Sequence, residues 1–510
     1  MPFRSILYDG SDADTPAETR EVPEFFADLR LDQVVASIIA GRQAYDLAPF
    51  YQAPLRDTAA ITYRHEVFRD LEDPALLRAI QDLAQNMRAM RDHLGLAGKA
   101  QYRYQRERWF LDAAGIYCDA VIRLDRELSS APPRSRGFLA LRDYLAAYVA
   151  SDGFGALLTD TRKLKHDLAS ITYRLQILGG RIRVSRHQSE PDYSADVAQT
   201  FEKFKRGAAK EHHFDVRASG MNHVEAAILD RVALLYPDIF AALDGYCDRH
   251  REYLDETIRR FDREVQFYVA YLEHVGRFRP AGLAFCYPAM VDRSREIHAD
   301  RVFDLALAEV LVHDNAPVVT NDFFLQEPER ILVVSGPNQG GKTTFARTVG
   351  QLHHLASIGC PVPGSEATLF LVDGIYSHFE REEDLGNQRG KLEDDLLRIH
   401  RILEHATRDS LLVMNESFGS TAVRDALFLS EEVMRAIIER DLICVSVTFL
   451  DELASLGETT VSMVSTVDAE DPARRTFKVV RRPADGLAYA AAIAEKYGLT
   501  YARVKARIAP

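Results

Sequence analysis

Cysteine is scarce in this chain of 510 residues. The five cysteines are widely scattered, at Cys118, Cys247, Cys286, Cys360 and Cys444. None of them forms a pair with metal-ligand spacing, and their odd number argues against a disulfide framework. We therefore expect a reducing compartment, most simply the cytoplasm.

Long apolar runs are also missing. No stretch is long enough to cross a membrane, and the first residues, MPFRSILYDGSDADTP, lack the apolar core of a signal peptide. The sequence therefore predicts neither a membrane span nor a secretory signal.

An excess of basic residues is absent as well, since the net charge is −13. A chain of this charge is not a general polyanion binder, so contact with DNA would need local basic patches. Two patches are candidates for DNA contact, and each is explained equally well as solvated surface. The first contains Arg181, Arg183 and Arg186, and the second contains Lys203, Lys205 and Arg206.

Residues 1–287 are predicted to form a helical domain. Apolar residues recur at intervals of three and four over 76–94, 110–128 and 253–275, and glycine and proline are sparse there. Antiparallel helices with short links are the simplest arrangement. Ile182–Ser185 could form a short strand at the tip of a helical hairpin. Pro237 should bend or end the helix that begins near Val224.

Residues 288–510 show a different pattern, in which short apolar runs alternate with helical segments. This alternation predicts an α/β domain with a mainly parallel sheet and helices on both faces. Ligands would bind at the carboxyl ends of its strands. The runs are 331–335, 368–373, 411–416, 442–448, 461–466 and 477–481, and 392–403 is a helix between them.

A glycine-rich loop follows the first of these runs. Gly336, Gly341, Lys342 and Thr343 fit the pattern G-x-x-x-x-G-K-[ST], in which backbone N–H groups surround phosphate oxygens. Lysine would reach the β- and γ-phosphates of a nucleoside triphosphate, and threonine would bind Mg²⁺. An ordinary glycine turn is the alternative, but the buried run before the loop and the helical spacing behind it favour a phosphate site.

A second polar site ends the run at 411–416. Asn415 stands where an aspartate usually supports Mg²⁺, and Glu416 follows it. An amide oxygen can still bind Mg²⁺ without supplying negative charge. Glu416 can polarise the attacking water as a general base, or it can be an ordinary exposed carboxylate at a strand end.

Together these motifs make residues 331–510 resemble the ATPase domain of the MutS family of DNA mismatch-repair proteins, within the ABC-type ATPases. The resemblance implies binding of ATP and Mg²⁺, with Glu416 and Lys342 as catalytic residues and Thr343 and Asn415 at the metal. The segments that carry it are Gly336-Pro337-Asn338-Gln339-Gly340-Gly341-Lys342-Thr343-Thr344, which would hold the nucleotide, Ile358-Gly359-Cys360-Pro361-Val362-Pro363-Gly364, Asn415-Glu416-Ser417-Phe418-Gly419-Ser420-Thr421, and the tail 486–499.

The helical part resembles the core and lever region of the same family more weakly. The segment 54–71 matches a family pattern, with Arg64 and Val67 at the expected places. We find no segment like the mismatch-reading G-x-F-Y-E, so the amino-terminal recognition domain is expected to be missing.

Three positions depart from the family pattern. Asn415 replaces an aspartate, and Phe449 stands where a phosphate-sensing histidine is usual. Gly390 occupies the place of a serine that acts on the partner subunit's nucleotide. The neighbouring Lys391 could supply charge in its place, or it could be a surface lysine. These departures weaken the expectation of fast hydrolysis more than that of ATP binding.

The resemblance implies a homodimer in which each ATP lies between one subunit's loop and the other's 386–392 segment. ATP would move a helical lever or clamp that binds duplex, mismatched or branched DNA in repair or recombination. Two alternatives are an ATP-gated protein-interaction switch and a nucleotide-binding pseudoenzyme without mismatch recognition. A small-molecule kinase is disfavoured, because it would lack the long helical region.

Overall fold

The computed structural model describes residues 3–10, 21–187, 221–380, 390–468, 470, 474–484, 499–501 and 504–505. The chain forms two compact units. The first takes residues 1–3, 73–133 and 139–262, and the second takes 4–72, 134–138 and 263–510. Among the helices in these ranges, none is both long enough and apolar enough to cross a membrane.

The helices and strands of the described ranges are as follows. The α-helices are α1 Phe25–Leu29, α2 Leu31–Ile38, α3 Ala48–Gln52, α4 Thr58–Leu71, α5 Pro74–Lys99, α6 Arg103–Ser130, α7 Arg136–Val149, α8 Asp152–Ala169, α9 His223–Leu235, α10 Pro237–Arg249, α11 Glu256–Gly276, α12 Leu305–His313, α13 Lys342–Ser357, α14 Lys391–His405 and α15 Val423–Glu439. The strands are β1 Tyr173–Leu178, β2 Arg181–Arg186, β3 Phe285–Cys286, β4 Ala289–Val291, β5 Ile297–Val302, β6 Asn321–Leu325, β7 Ile331–Ser335, β8 Val362–Pro363, β9 Glu366–Phe370, β10 Ile375–Phe379, β11 Leu411–Asn415, β12 Ile443–Val447, β13 Thr460–Val467 and β14 Arg475–Arg481.

The first unit is built mainly of helices, as the apolar spacing predicts. Its longest helices, α5 and α6, pack against each other. Asp73 caps α5 by accepting a hydrogen bond from the Ala75 N–H, and Pro74 stands at the first helical position. The helix before Pro237 ends at Leu235, and Pro237 begins the next one. The predicted strand at 182–185 lies in β2, which forms an antiparallel hairpin with β1.

The second unit contains a six-stranded sheet in the order β10-β11-β12-β7-β13-β14. Neighbouring strands from β10 to β13 pair in parallel, and β14 pairs antiparallel with β13 at the edge. The central strands β7 and β12 are buried along their whole length, as continuous apolar runs require. The sheet is therefore mixed, with mostly parallel strands.

One predicted strand lies outside this sheet. The run 368–373 overlaps β9, which belongs to a separate sheet in the order β4-β9-β5-β6. The place beside β11 is taken instead by β10, which was not predicted because Ser377 and His378 interrupt its apolar pattern. An apolar run can indicate a buried strand, but its sheet depends on partners that are distant in sequence.

The division into units differs from the predicted domains, 1–287 and 288–510, because residues 4–72 pack on α13. The rings of Phe25 and Phe26 contact His354, with centroids 5.5 and 4.9 Å away. The Gln351 side-chain amide donates a hydrogen bond to the Leu29 carbonyl at 2.8 Å. These contacts place the amino-terminal segment in the same unit as the glycine loop.

Candidate functional site

The glycine loop joins β7 to α13. Its backbone enters the left-handed region at Gly336 (φ 113°), Gln339 (φ 59°) and Gly341 (φ 93°). Glycine adopts such angles without steric cost, which explains its presence at two of the three positions. The loop therefore turns tightly before Lys342 begins the helix.

Lys342 points its ammonium group into this loop. The side chain is 4% exposed, and Nζ donates to the carbonyls of Gly336 at 3.0 Å and Pro337 at 3.3 Å. It also lies 3.3 Å from Oδ1 of Asn338. Burial lowers the pKa of Lys342, while Glu416 acts to raise it and Arg475 to lower it further. The loop thus holds a poorly solvated cation, which an anion would stabilise.

Thr343 and Asn415 lie together in the structure. The Thr343 hydroxyl donates to Oδ1 of Asn415 at 2.7 Å. Glu416 follows at the end of β11, and its Oε1 lies 3.9 Å from the Lys342 Nζ. The loop and helix start that follow β7 meet the residues that end β11, because parallel strands end at the same edge of a sheet.

These residues fit a phosphate chain with Mg²⁺. At Gly340 a Cβ atom would lie 2.1 Å from Oγ of Ser465 and 2.9 Å from the Pro337 carbonyl, so the loop keeps its space only without a side chain. The described residues contain no group of three or more His, Cys, Asp or Glu side chains that could hold a metal. Thr343 and Asn415 offer two oxygen ligands. This small number suits Mg²⁺, which takes most of its ligands from phosphates and water molecules.

Comparison with known proteins finds relatives for this part of the chain. Residues 332–506 match the family model described as MutS domain V. This part of the chain is therefore similar to MutS domain V. It is 30% identical over 176 residues to DNA mismatch repair protein MutS 1 of Haloarcula marismortui, covering 34% of this chain and 18% of that protein.

Two further relatives match this chain over similar lengths. DNA mismatch repair protein MSH3 of Eremothecium gossypii is 31% identical over 132 residues, covering 26% of this chain and 13% of that protein. Endonuclease MutS2 of Thermus thermophilus is 31% identical over 183 residues, covering 36% and 24%. The matches thus span less than a quarter of each relative.

Residues outside the predicted motifs also support the glycine loop. Ser465 on β13 donates its hydroxyl proton to the Gly340 carbonyl at 2.7 Å, and it is fully buried. Arg475 on β14 donates from Nε to the Asn338 carbonyl at 3.2 Å. The sequence reasoning missed both, because they follow the loop by more than a hundred residues and belong to no recognised motif.

The positions that depart from the family pattern have distinct environments. Phe449 follows β12, and 47% of it is exposed. Gly390 immediately precedes α14, and, its chain neighbours aside, none of the described residues lies within 4 Å of the place of a Cβ atom there. Lys391 forms an ion pair with Glu380 of the same chain. The predicted action of the Gly390–Lys391 segment on a partner's nucleotide stays a prediction.

The basic residues predicted to contact DNA lie in the first unit. Arg181 and Arg183 are exposed on β2, on the hairpin face opposite Val184. Arg186 instead donates to the Leu235 carbonyl from Nε at 3.1 Å, and its guanidinium lies 5.1 Å from the Tyr236 ring centre. Lys203, Lys205 and Arg206 lie outside the described residues.

Proposed function

We propose that this chain binds ATP with Mg²⁺ at residues 336–344 and hydrolyses it slowly. The observation that carries the proposal is the 2.7 Å contact between Thr343 and Asn415, beside Glu416 and the buried Lys342 ammonium. This set combines a cation for the phosphates, two neutral oxygens for a metal and one carboxylate for a water. The match to MutS domain V supports it independently.

Each side chain has a distinct part in the proposed reaction. Lys342 would exchange its loop carbonyls for the β- and γ-phosphate oxygens, which offers its charge a stronger partner. Thr343 and Asn415 would hold Mg²⁺, which supplies charge neutralisation to the phosphates when bound. Glu416 would accept a proton from the attacking water. Because Asn415 brings no negative charge, we expect slow turnover.

Single-turnover hydrolysis of ATP tests these roles. We expect Glu416→Gln to lower the rate by about 100-fold with little change in ATP affinity, because it removes only the base. Lys342→Ala should abolish ATP binding. Asn415→Asp should raise the rate by about tenfold, since it restores charge beside the metal. An unchanged rate in Glu416→Gln would exclude Glu416 as the base.

A nucleotide-binding pseudoenzyme is the second candidate, and the neutral side chain of Asn415 favours it. In that case the wild-type protein would bind ATP without turnover. Equilibrium binding of labelled ATP, measured beside the single-turnover assay, separates the two candidates directly.

ATP binding would close a homodimer of the ATPase domain and move the helical part, which would then bind or release DNA. The family resemblance and the exposed Arg181 and Arg183 support this larger role. Fluorescence anisotropy at low salt, with duplex, mismatched and branched DNA and with or without ATP, tests it. Sedimentation with and without ATP tests the dimer.

Substitution of exposed arginines tests which of them contact DNA. We expect Arg181→Ala and Arg183→Ala together to weaken binding, whereas Arg251→Ala, which removes another exposed arginine of the same unit, should not. Absence of binding to all three kinds of DNA would favour an ATP-gated protein-interaction switch. Affinity purification with ATP-trapped protein would then identify the protein partner.

A further inference from the structure

A buried histidine lies beside the candidate catalytic edge of the sheet. His378 on β10 is completely buried, and it pairs in register with Met414, the residue before Asn415. Its Nδ1 shares a hydrogen bond with the Ser417 hydroxyl at 3.1 Å. Its Nε2 lies 3.3 Å from Oδ1 of Asp395, without the alignment of a hydrogen bond. The imidazole therefore contacts two polar side chains from different elements.

Ser417 occupies a strained stretch of backbone. Its neighbours Glu416 (φ 51°) and Phe418 (φ 63°) are both left-handed, although neither is glycine. Each such residue costs about 1 kcal/mol or more and persists only when its surroundings fix it. Phe418 is buried, and the Glu416 N–H donates to the Val447 carbonyl at 2.9 Å. The hydrogen bond between His378 and Ser417 fixes Ser417, which stands between these two left-handed residues.

Asp395 links the same histidine to α14. Lys391, Asp395 and Arg398 lie on one stripe of this helix, at the spacing of successive turns. Lys391 pairs with Glu380, and Arg398 donates to the Phe379 carbonyl at 3.1 Å. The stripe thus follows the end of β10, with the Asp395–His378 contact in its middle. The first turn of this helix includes the residue predicted to face a partner's nucleotide.

We propose that His378 is a positioning residue that connects α14 to Glu416. When α14 moves, Asp395 moves with it and shifts the His378 imidazole, which in turn shifts Ser417. This movement changes the direction of the adjacent Glu416 carboxylate. Because Glu416 acts on water rather than on the bound phosphates, His378 sets turnover and leaves nucleotide affinity unchanged. The inference rests on the proposed hydrolysis of ATP at Glu416.

Three variants and one control test this role in the full-length protein. We expect His378→Asn, Asp395→Asn and Ser417→Ala each to lower single-turnover hydrolysis by about tenfold, with ATP affinity within about twofold of wild type. His378→Asn combined with Ser417→Ala should be no slower than His378→Asn alone, because both interrupt one connection. The control is His65→Asn, which changes another buried histidine of the same unit and should keep the wild-type rate.

Amide hydrogen exchange gives a readout that does not depend on turnover. In the wild-type protein, ATP should slow exchange at 391–398 and at 414–419 together. In His378→Asn it should slow exchange only at 391–398. The same variant should still bind ATP, which separates a positioning role from general destabilisation.

The outcomes distinguish this inference from the proposed function. If wild-type protein fails to bind ATP, the proposed function is wrong and the inference falls with it. If wild-type protein hydrolyses ATP and His378→Asn matches His65→Asn in rate and exchange, only the inference is wrong. If wild-type protein binds ATP without turnover, amide hydrogen exchange becomes the test. Equal protection of residues 414–419 by ATP in wild type and in His378→Asn would then overturn the inference. A parallel loss of affinity in His378→Asn would overturn it too.

Discussion

At the residue scale, the glycine loop depends on a position where no side chain fits. Gly340 lies against Ser465. Ser465 cannot move aside for a side chain at position 340, because it is buried and donates a hydrogen bond to the Gly340 carbonyl. The loop motif alone does not distinguish this glycine from its neighbours. The tertiary contact with β13 does.

We expect Gly340→Ala to abolish ATP binding in an equilibrium assay. The new Cβ would overlap Ser465 and the Pro337 carbonyl, so the loop would have to move. Adding Ser465→Ala should restore only part of the affinity, because the contact with the Pro337 carbonyl remains. Gly457→Ala is the control, since open space surrounds that glycine. Wild-type affinity in Gly340→Ala would contradict the described loop.

At the element scale, α13 is fixed at its carboxyl end. Its carboxyl end is followed by Gly359 at φ 74°, a common way for a helix to stop. Arg64, which is fully buried, reaches over this turn and donates to the carbonyls of Ile358 at 2.7 Å and Leu7 at 3.2 Å. Two segments that resemble the MutS family separately in the sequence therefore meet at one contact.

Gly359→Ala should be more destabilising than Gly282→Ala in urea unfolding. Both glycines have similar left-handed angles, φ 74° and 71°, so both substitutions carry a backbone cost of about 1–2 kcal/mol. Only at Gly359 would the Cβ lie 2.9 Å from the Arg64 side chain, whereas Gly282 has open space. We expect this overlap to add about 1–3 kcal/mol. Equal losses in the two variants would show that the Arg64 contact is not tightly packed.

At the scale of the whole molecule, the second unit buries several histidines as neutral side chains. Burial lowers the pKa to about 4 in His65, His274, His353 and His354. Between about pH 6.5 and 4 the unfolded chain binds protons that the folded unit does not. The histidines therefore favour folding above this range and lose that contribution as the pH falls through it.

We expect the free energy of unfolding to decrease on acidification from pH 7 to 5. His274→Leu should reduce the slope of this free energy by up to about 1.4 kcal/mol per pH unit, the value for one proton. His274 is suited to this test because neither of its ring nitrogens has a hydrogen-bond partner among the described residues. His400→Gln, at an exposed position, is the control. An unchanged slope in His274→Leu would mean that this histidine titrates equally in both states.

Much of the site could be predicted from the sequence because its parts are local. The turn at Gly336 and Gly341, the start of α13 at Lys342 and the strand end at Asn415–Glu416 each depend on residues adjacent in the chain. Long-range partners could not be predicted in this way. Ser465, Arg475 and His378 come from strands whose place in the sheet depends on packing, and β10 in particular carried no clear apolar signal.

The sequence by itself determined the glycine loop, the helical pattern of the first unit and most strands of the α/β part, because short-range spacing encodes each of them. The tertiary structure decided which strands became neighbours and which residues pack on α13. It also placed Thr343 against Asn415 and His378 between Ser417 and Asp395. Such contacts join residues that are distant in the chain, and only the burial of apolar surface in the folded unit brings them together.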